Sequence, residues 1–479
     1  MTSDFLTTLL ANAWSILLVA LFFGGSIFVH ELGHFLAARW RGAKVERFSI
    51  GFGPAIFSWH GRDGVEYRLA WFPLGGYVLL PQLADLGPIE GRSEVDVEKL
   101  PPVSYSTKMI VFVAGACFNV LFAFALASII WVIGQPESSE TASTSIGYVS
   151  QKIELPGGVK VTSPAMEAGL RVGDVIKAID GRPVEKFFDI YVQIGLGSGM
   201  SADGRRQAVF TIQREGKIFD VIVHPQLAGE ESERRVGIAP GYQLSVFQVA
   251  PGSIAAKAGF HPDDLILGLD GQPVMSFQTW QDLLELSAKR PVIVRVLRAG
   301  TEVALTLPAR APGKSVTAFG LALTTGYTLI HPTPFAQIRD QVLMSYRTIW
   351  SLINPHSDIG LSKLSGPVGI VRIFHSAAEA GIRPVLMFTI LLNISLAIFN
   401  LLPLPVLDGG QMLFATIGRL RGRALSVNFV MAANGVFILL LLTMVFYISF
   451  FDFRRMNRDR AESAAPASAP ATNPAPAKP

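Results

Sequence analysis

An uncharged apolar segment near the start of the chain leads directly into a histidine motif. The segment runs from Phe5 to Val29 and is long enough to cross a lipid bilayer as a helix. It is followed by His-Glu-Leu-Gly-His at residues 30–34. On a helix, two histidines at this spacing lie on one face, so both imidazoles can bind one metal ion. The glutamate lies to one side, close enough to act on a water molecule at the metal without being a ligand.

The position of this motif favours a functional role. Ionisable groups are costly at bilayer depth, so a His-Glu-His cluster in a membrane-spanning helix indicates a functional site. The alternative is a polar helix end at the membrane surface, where His30 and His34 are merely hydrated. The motif alone leaves this alternative open, and the rest of the chain has to decide between the two.

The composition is that of a membrane protein. Half of the 479 residues are hydrophobic, 16% are charged, and the mean hydropathy is +0.40. The net charge of +4 does not indicate a nucleic-acid partner, because the basic residues cluster beside apolar segments instead of forming a basic face with aromatic residues. The single cysteine, Cys117, lies within an apolar run, which excludes an intrachain disulfide and a thiolate metal site.

Four segments are predicted to be transmembrane helices. They are residues 1–38, which contain the histidine motif, 109–134, 384–418 and 424–451. The third segment is longer than one span and is interrupted by Pro403 and Pro405. It is predicted to form a helix, an extended stretch and a second short helical piece. Irregular backbone at membrane depth is tolerated only where protein buries it or where it lines a cavity.

The region between the second and third spans contains an internal repeat. Ala-Gly-Leu, Asp-Val-Ile and Asp-Gly-Arg-Pro-Val at residues 168–184 recur at the same spacing as Ala-Gly-Phe, Asp-Leu-Ile and Asp-Gly-Gln-Pro-Val at residues 258–274. This repeat predicts two copies of one α+β module, assigned to residues 145–235 and 236–312.

The remaining segments are interpreted from their composition and pattern. Residues 39–108 are predicted to contain a β-hairpin that lies on the membrane or dips into it. Residues 313–383 are predicted to form a helical connection, and residues 461–479, rich in Ala and Pro, are predicted to be disordered. The predicted fold is therefore a polytopic α-helical membrane protein with about four transmembrane helices and two α+β modules inserted between the second and third spans.

The two histidines need a further ligand, because a catalytic zinc site usually has three protein ligands. Glu46 and Glu66 are candidates in the loop after the first span. Asp408 is another, and it is the one ionisable residue of the third apolar segment. An aspartate there costs about 2.5–3.5 kcal/mol by insertion scales unless it is paired or bound to a metal. The alternative role for Asp408 is a helix cap before Gly409-Gly410.

Three elements in order resemble the site-2 protease family. They are the histidine motif, Gly51-Phe52-Gly53, and Asn-Leu-Leu-Pro-Leu-Pro-Val-Leu-Asp-Gly at residues 400–409. The repeated modules are similar to PDZ domains, and two PDZ domains between the second and third spans are typical of a bacterial branch of that family. Two departures from the family pattern are Gln411, where histidine often follows Asp-Gly-Gly, and Ala114-Gly115-Ala116, where Gly-Pro is common.

The resemblance implies an intramembrane zinc metalloprotease that binds one Zn²⁺. It implies that His30, His34 and Asp408 are the zinc ligands and that Glu31 is the general base. The site residues implied for binding substrate are Asn400, Pro403 and Pro405. The implied substrates are transmembrane segments of single-span membrane proteins, such as anti-sigma factors or signal-peptide remnants, cut in regulated intramembrane proteolysis.

The distribution of lysine and arginine predicts the orientation in the membrane. Nine basic residues lie between Arg39 and Lys108, and three lie at residues 419–423, so both loops are expected in the cytoplasm. The chain is then expected in the bacterial inner membrane, with the PDZ-like modules in the periplasm and the active site toward the cytoplasmic side. The modules are expected to act mainly as a size filter for substrates, and secondarily to bind peptide or substrate termini by strand addition.

Two other functions remain open at this stage. In a catalytically inactive scaffold, the modules would recruit peptides and Glu31 could be changed without consequence. A metal transporter could use the histidines and Asp408, but it would require more polar residues in several spans and would have no need for Glu31.

Overall fold

Long apolar helices and small β-sheets alternate along the chain. The computed structural model describes residues 13–83, 100–197, 199–229, 233–287, 289–309, 319–354 and 364–464. Within these residues, four helices are long and apolar enough to cross a membrane: Leu17–Trp40, Tyr105–Ile133, Ile382–Asn400 and Val427–Met456. The prediction of about four transmembrane helices is confirmed in length and composition.

The elements are numbered in chain order. The helices are α1 (Ala13–Trp40), α2 (Tyr105–Ile133), α3 (Ser139–Ala142), α4 (Pro164–Glu167), α5 (Phe187–Leu196), α6 (Ile254–Ala258), α7 (Phe277–Leu286), α8 (Pro334–Ile353), α9 (Pro367–Ala380), α10 (Ile382–Asn400), α11 (Asp408–Leu420) and α12 (Val427–Ala464). The strands are β1 (Arg47–His60), β2 (Glu66–Leu79), β3 (Gln135–Ser138), β4 (Ile146–Val149), β5 (Lys152–Glu154), β6 (Lys160–Thr162), β7 (Val175–Ile179), β8 (Arg182–Pro183), β9 (Ala208–Arg214), β10 (Lys217–Val223), β11 (Gln226–Ala228), β12 (Glu233–Arg235), β13 (Ile238–Pro240), β14 (Leu244–Val249), β15 (Leu265–Leu269), β16 (Gln272–Pro273), β17 (Val292–Arg298), β18 (Thr301–Leu307), β19 (Leu321–Thr325) and β20 (Tyr327–Ile330).

Helices α1 and α2 approach each other closely beside the histidine motif. A Cβ atom at Gly33 would lie 2.5 Å from the carbonyl oxygen of Ala114, so glycine is required where the two backbones meet. Helix α2 begins at a serine cap, because the Ser104 hydroxyl accepts a hydrogen bond from the Thr107 N–H. Farther along, α2 packs on α10 through buried side chains such as Ile130 and Ile390.

The third apolar segment is broken, as its prolines predict. Helix α10 ends at Asn400, and α11 begins at Asp408. The chain between them folds tightly onto the start of α11. A Cβ at Gly409 would lie 2.3 Å from the Leu402 carbonyl oxygen, and one at Gly410 would lie 2.0 Å from the Leu404 carbonyl oxygen. Glycine at both positions therefore allows the segment between α10 and α11 to pack against the residues that directly follow Asp408.

Strands β1 and β2 form the hairpin predicted between the first two spans. Residues 57–60 pair with residues 66–69 near its tip, and residues 47–50 pair with residues 76–79 near its base. The base is fixed to the helices by a cluster of buried side chains that includes Phe48, Phe35 and Val111. This packing places the end of β2 beside the histidine motif.

The two repeats fold into modules with matching strands, here called the first and second β modules (residues 144–240 and 242–325). In the first, the sheet order is β10-β9-β7-β8, and β4 pairs with β13. In the second, the order is β18-β17-β15-β14-β19, and β16 pairs with β15. Each module has its own core, around Phe210 in the first and Trp280 in the second.

The module boundaries differ from those expected from the sequence. Strand β13 lies beyond residue 235 but packs with the first module, where Ile238 joins its core. Strand β19 lies beyond residue 312, in the region expected to be helical, and pairs with β14. The physical reason is the same in both modules. The first strand of each module, β4 or β14, pairs along one edge with a strand that comes later in the chain, β13 or β19.

The last helix is longer than expected. Helix α12 continues to Ala464, so residues 461–464 of the predicted disordered tail are helical. Residues 465–479 lie outside the described part of the chain, as do residues 1–12 of the first predicted span. The same holds for residues 84–99 of the predicted hairpin loop and for residues 313–318 and 355–363 of the predicted connection. The chain forms two compact units. One contains the long apolar helices and is here called the membrane unit, and the other is centred on residues 136–330.

An equivalent buried Arg–Asp ion pair stabilises each β module. In the first, the guanidinium of Arg214 donates two hydrogen bonds to Asp174, at 2.6 and 2.7 Å, and a third to the Gly169 carbonyl oxygen. In the second, Arg298 donates two to Asp264, at 2.7 and 2.6 Å, and one to the Gly259 carbonyl oxygen. These bidentate contacts tie a strand of each sheet to the Ala-Gly loop of the repeat.

The ion pair predicts how acid acts on the second module. Burial by itself raises the pKa of the Asp264 carboxyl, but hydrogen bonds from Arg298 and the His261 N–H outweigh it and lower the pKa below its ordinary value. The stabilisation is therefore complete above about pH 4 and is lost as the pH falls through the lowered pKa.

We expect Asp264→Asn to destabilise the second module by about 1.5–3 kcal/mol at neutral pH, because a charged hydrogen-bond acceptor is removed from a buried pair. The variant should also lack the acid-dependent loss of stability. Hydrogen exchange of β15 and β17 in the full-length protein measures both effects. Glu302→Gln is the matched control, since Glu302 and Arg295 form a half-exposed pair worth about 0.2–1 kcal/mol. Equal exchange in both variants would contradict the prediction.

Candidate metal centre

Three of the predicted site residues meet at one point in the membrane unit. The Nε2 atoms of His30 and His34 lie 3.2 Å apart. The Oδ2 atom of Asp408 lies 3.5 Å from the first and 3.4 Å from the second. Helix geometry explains the histidine pair, because both side chains leave the same face of α1 one turn apart. Asp408 reaches them because it is the first residue of α11, directly after the irregular segment that follows α10.

The spacing of the three atoms fits a zinc ion. Ligand bonds of about 2.0–2.1 Å in a tetrahedral site place neighbouring ligand atoms about 3.3 Å apart. The three observed separations match this value. The Oδ2 atom of Asp408 is also buried and has no hydrogen-bond partner among the described residues. A buried carboxylate oxygen without a partner is costly, and a metal ion at the centre of the triangle would satisfy it.

The competing candidates for the third ligand lie elsewhere or are already paired. Glu66 accepts hydrogen bonds from Arg47 at 2.5 Å and from Arg68 at 2.8 Å. Within the described residues, the group of side chains that could hold a metal consists of His30, His34 and Asp408, without Glu46 or Glu66. The helix-cap alternative for Asp408 also fails, because Leu407 occupies the N-cap position of α11.

The backbone of α2 orients His34. The Nδ1 atom of His34 lies 2.8 Å from the carbonyl oxygen of Val111, in a buried contact. A carbonyl can only accept, so Nδ1 carries the proton and Nε2 keeps its lone pair directed at the site. Metal-binding histidines commonly have such a contact on the second ring nitrogen, which fixes both the tautomer and the ring orientation.

Two asparagines flank His30. The side-chain amide of Asn119 lies 3.3 Å from Nδ1 of His30, and its buried Oδ1 atom has no hydrogen-bond partner within the described residues. Rotating this amide by half a turn would let Oδ1 accept a hydrogen bond from the Nδ1–H, which again leaves Nε2 free for a metal. The amide nitrogen of Asn400 lies 3.3 Å from Nε2 on the other side of the ring. Asn400 thus lies at the metal site itself.

Glu31 faces the same space as the three proposed ligands. A cavity of about 230 Å³ is lined by His30, Glu31, His34 and Asp408 together with Asn400 and the β2 residues Gly76, Tyr77 and Val78. Strand β2 passes close to the glutamate, because a Cβ at Gly76 would lie 3.0 Å from Cγ of Glu31. The cavity therefore combines three side chains that could hold a metal ion, a carboxylate outside that group, and an extended strand.

The two prolines predicted to bind substrate are less central. Pro403 is exposed and Pro405 is half-buried, and both lie in the chain between α10 and α11. The residues of that chain segment that line the cavity are Val406 and Leu407. The structure thus brings Asn400 to the metal-binding group and leaves the two prolines outside the cavity lining.

Several residues that lie at the site were given no role there from the sequence alone. Gly115 is essential to the packing, because a Cβ there would lie 2.4 Å from Nε2 of His34 and 2.6 Å from Cε1 of His30. Gln411 is buried against the cavity, and its Nε2 has no partner in the described chain. Asn119 is a lone amide in an uncharged span, and that was the signal that could have identified it. No such signal marks the carbonyl of Val111.

Comparison with known proteins identifies the family. Residues 18–444 match peptidase family M50. The chain belongs to this family. It is 28% identical over 478 residues to the regulator of sigma-E protease RseP of Salmonella typhimurium, covering 94% of this chain and all of that one. It is also 28% identical over 473 residues to the Escherichia coli protein of that name, with the same coverage. A Xylella fastidiosa relative with a zinc metalloprotease name is 29% identical over 447 residues, covering 88% of this chain and 94% of that one.

The family resolves what the geometry left open. This M50 peptidase is an intramembrane zinc metalloprotease of the site-2 type, related to RseP over most of its length. The zinc cofactor implied by the sequence resemblance is confirmed, and the donor set of two imidazoles and one carboxylate suits that ion. A scaffold without activity and a metal transporter are both disfavoured.

The packing at Gly115 predicts a sensitive position in α2. We expect Gly115→Ala to lower zinc content strongly, because the added methyl group would displace both histidine rings. Metal analysis of the purified protein measures the effect. Gly24→Ala is the matched control in a membrane-spanning helix, because a Cβ at Gly24 would have no atom within 4 Å. Normal zinc content in Gly115→Ala would show that α2 does not constrain the histidines.

Proposed function

We propose that this M50 peptidase hydrolyses peptide bonds within or beside the transmembrane segment of single-span membrane proteins, with zinc held by His30, His34 and Asp408. The observation that carries the proposal is the triangle of ligand atoms beside Glu31 in one cavity of the membrane unit. Zinc in a three-ligand site of this kind supplies a Lewis acid, which polarises the scissile carbonyl and lowers the pKa of water toward neutrality.

Glu31 acts as the general base in this proposal. Its carboxylate accepts a proton as the oxygen of water bonds to the carbonyl carbon of the substrate. It then passes that proton to the leaving nitrogen when the C–N bond breaks. Glu31 is suited to this role because it lines the cavity but is not one of the three ligands that converge on the metal position.

A transmembrane substrate has to be unwound before its carbonyl groups can be attacked. The cavity is bordered by the end of β2 and by the irregular chain that follows Asn400. Extended backbone of this kind can pair with an unwound segment through main-chain hydrogen bonds. We assign Asn400 to holding the substrate backbone at the metal, with the Pro403–Pro405 stretch keeping the chain before Asp408 out of helical geometry.

The names of the relatives suggest the biological setting. Two of them are called regulators of sigma-E protease, so we propose that this chain also acts in regulated intramembrane proteolysis in a bacterial inner membrane. The substrates would be anti-sigma factors or signal-peptide remnants. The basic loops before α2 and after α11 are expected on the cytoplasmic side, which places the active site toward the cytoplasm and the β modules in the periplasm.

The two β modules are proposed to be PDZ domains. Each has the repeated Ala-Gly, Asp-Gly and Arg–Asp features, and each places a short helix beside its sheet. PDZ domains accept an extended peptide as an added strand, so the modules would bind peptide or substrate termini. We propose this binding as secondary to their main role, a size filter for substrates.

The general-base role predicts a separation of chemistry from metal binding. We expect Glu31→Gln to lower cleavage of a single-span substrate by about 10²–10⁴-fold, because a neutral amide cannot accept the proton. Zinc content should stay at the wild-type level, since Glu31 is not a ligand. Parallel metal analysis and cleavage assays on the same preparations test both statements. Retained cleavage would contradict the protease mechanism and favour a scaffold.

The ligand role of Asp408 predicts a different outcome. We expect Asp408→Ala to lose zinc and activity together, because two histidines alone make a weak site. Glu66→Gln is the matched control, since Glu66 is paired with arginines away from the metal. If Asp408→Ala retains zinc while Glu66→Gln loses it, the third ligand has been assigned to the wrong residue.

A further inference from the structure

The backbone of Val406 has an unusual conformation two residues before the proposed zinc ligand Asp408. Its φ angle is +75°, in the left-handed region that β-branched side chains strongly disfavour. Other non-glycine residues with positive φ in the described chain are Asp180, Glu215, Asp263, Asp270 and Ala299, and all of these lie in turns of the β modules. Among these six, Val406 alone is β-branched, so the structure around it has to hold it there.

A side chain from the last helix provides that support. The N–H of Val406 donates a hydrogen bond of 3.1 Å to Oδ1 of Asn434 in α12. Other N–H groups of the turn bond within it or to the end of α10, as from Leu402 to Phe399 and from Leu407 to Leu404. The Asn434 contact therefore ties the turn to a different helix.

The surroundings of Asn434 make its hydrogen bond with the Val406 N–H energetically important. The side chain is 5% exposed, whereas most of the apolar part of α12 is exposed on the surface of the unit. A buried amide in a membrane-spanning helix is costly unless it is hydrogen-bonded. The N–H of Val406 has the complementary need, since it belongs to irregular backbone at membrane depth. Each group thus satisfies the other.

The turn transmits this contact to the metal position. Val406 and Leu407 line the cavity of the site, and Asp408 follows them as the first residue of α11. The glycines after Asp408 are packed against carbonyl oxygens of the same turn, so the segment has little room to adjust. A change in the φ angle of Val406 would therefore redirect the Asp408 carboxylate away from the two histidines.

We infer that Asn434 is a positioning residue for the zinc site. By accepting the N–H of Val406, it holds the turn in the strained conformation that directs Asp408 toward His30 and His34. The inference rests on the proposed function, because it takes Asp408 as a ligand. It adds that the last helix, which supplies no ligand, determines how well the metal is held.

The test compares full-length variants in detergent by zinc release to a chelator, by kcat and KM for a single-span substrate, and by the melting temperature of the zinc-free protein. We expect Asn434→Leu to release zinc about 10–100-fold faster and to lower kcat by a similar factor, as is usual when support for a ligand is lost. KM and the zinc-free melting temperature should change little. Asn428→Leu, at an exposed position of the same helix, is the matched control and should resemble wild type.

A second-site variant separates positioning from packing. Glycine adopts positive φ without steric cost, so Val406→Gly should restore zinc retention at least in part when combined with Asn434→Leu. Wild-type zinc release in Asn434→Leu would overturn the inference. Failure of Val406→Gly to restore zinc, together with a lower zinc-free melting temperature, would also overturn it by assigning Asn434 to folding. A wild-type protein that binds no zinc would instead refute the proposed zinc site itself.

Discussion

The cost of keeping ionisable groups among apolar helices governs the architecture of the membrane unit. His30, His34 and Asp408 can be tolerated there only if their polar atoms have partners, and the structure supplies partners from several directions. The carbonyl of Val111 orients one imidazole and the amide of Asn119 faces the other. The ligand atoms of the three residues lie within 3.5 Å of one another, a spacing at which one metal ion could satisfy all three.

The same constraint explains why glycine occurs where the helices meet. Two histidine rings on one face of α1 require space, and α2 provides it at Gly115. The backbones of α1 and α2 also touch at Gly33, one residue before the second histidine. On the opposite side of the site, Gly409 and Gly410 let the chain fold back tightly after Asp408. Glycine at these positions therefore lets the segments that carry the three proposed ligands pack closely together.

Much of this arrangement follows from the sequence, for identifiable reasons. The spacing of His30 and His34 fixes their geometry on any helix, and Asp408 stands out because it is the lone charge of its apolar segment. The repeated Asp-Gly turns revealed two modules, but not that β13 and β19 close them, because pairing between distant strands leaves no local pattern. Val111 orients His34 through its backbone carbonyl, and Asn434 acts through the φ angle of another residue, so neither contribution can be read from residue type.

The distance in sequence between the parts of the metal centre has a consequence for biosynthesis. Asn400 and His30 are in contact although they are 370 residues apart, and the whole β region lies between them. A ribosome therefore completes both β modules before it makes the segment that carries Asp408. Until that segment has been made, the nascent chain carries two of the three proposed zinc ligands, His30 and His34, together with Glu31, but lacks Asp408. With Asp408 as the third ligand, as proposed, the metal site would form only after nearly the whole chain has been synthesised.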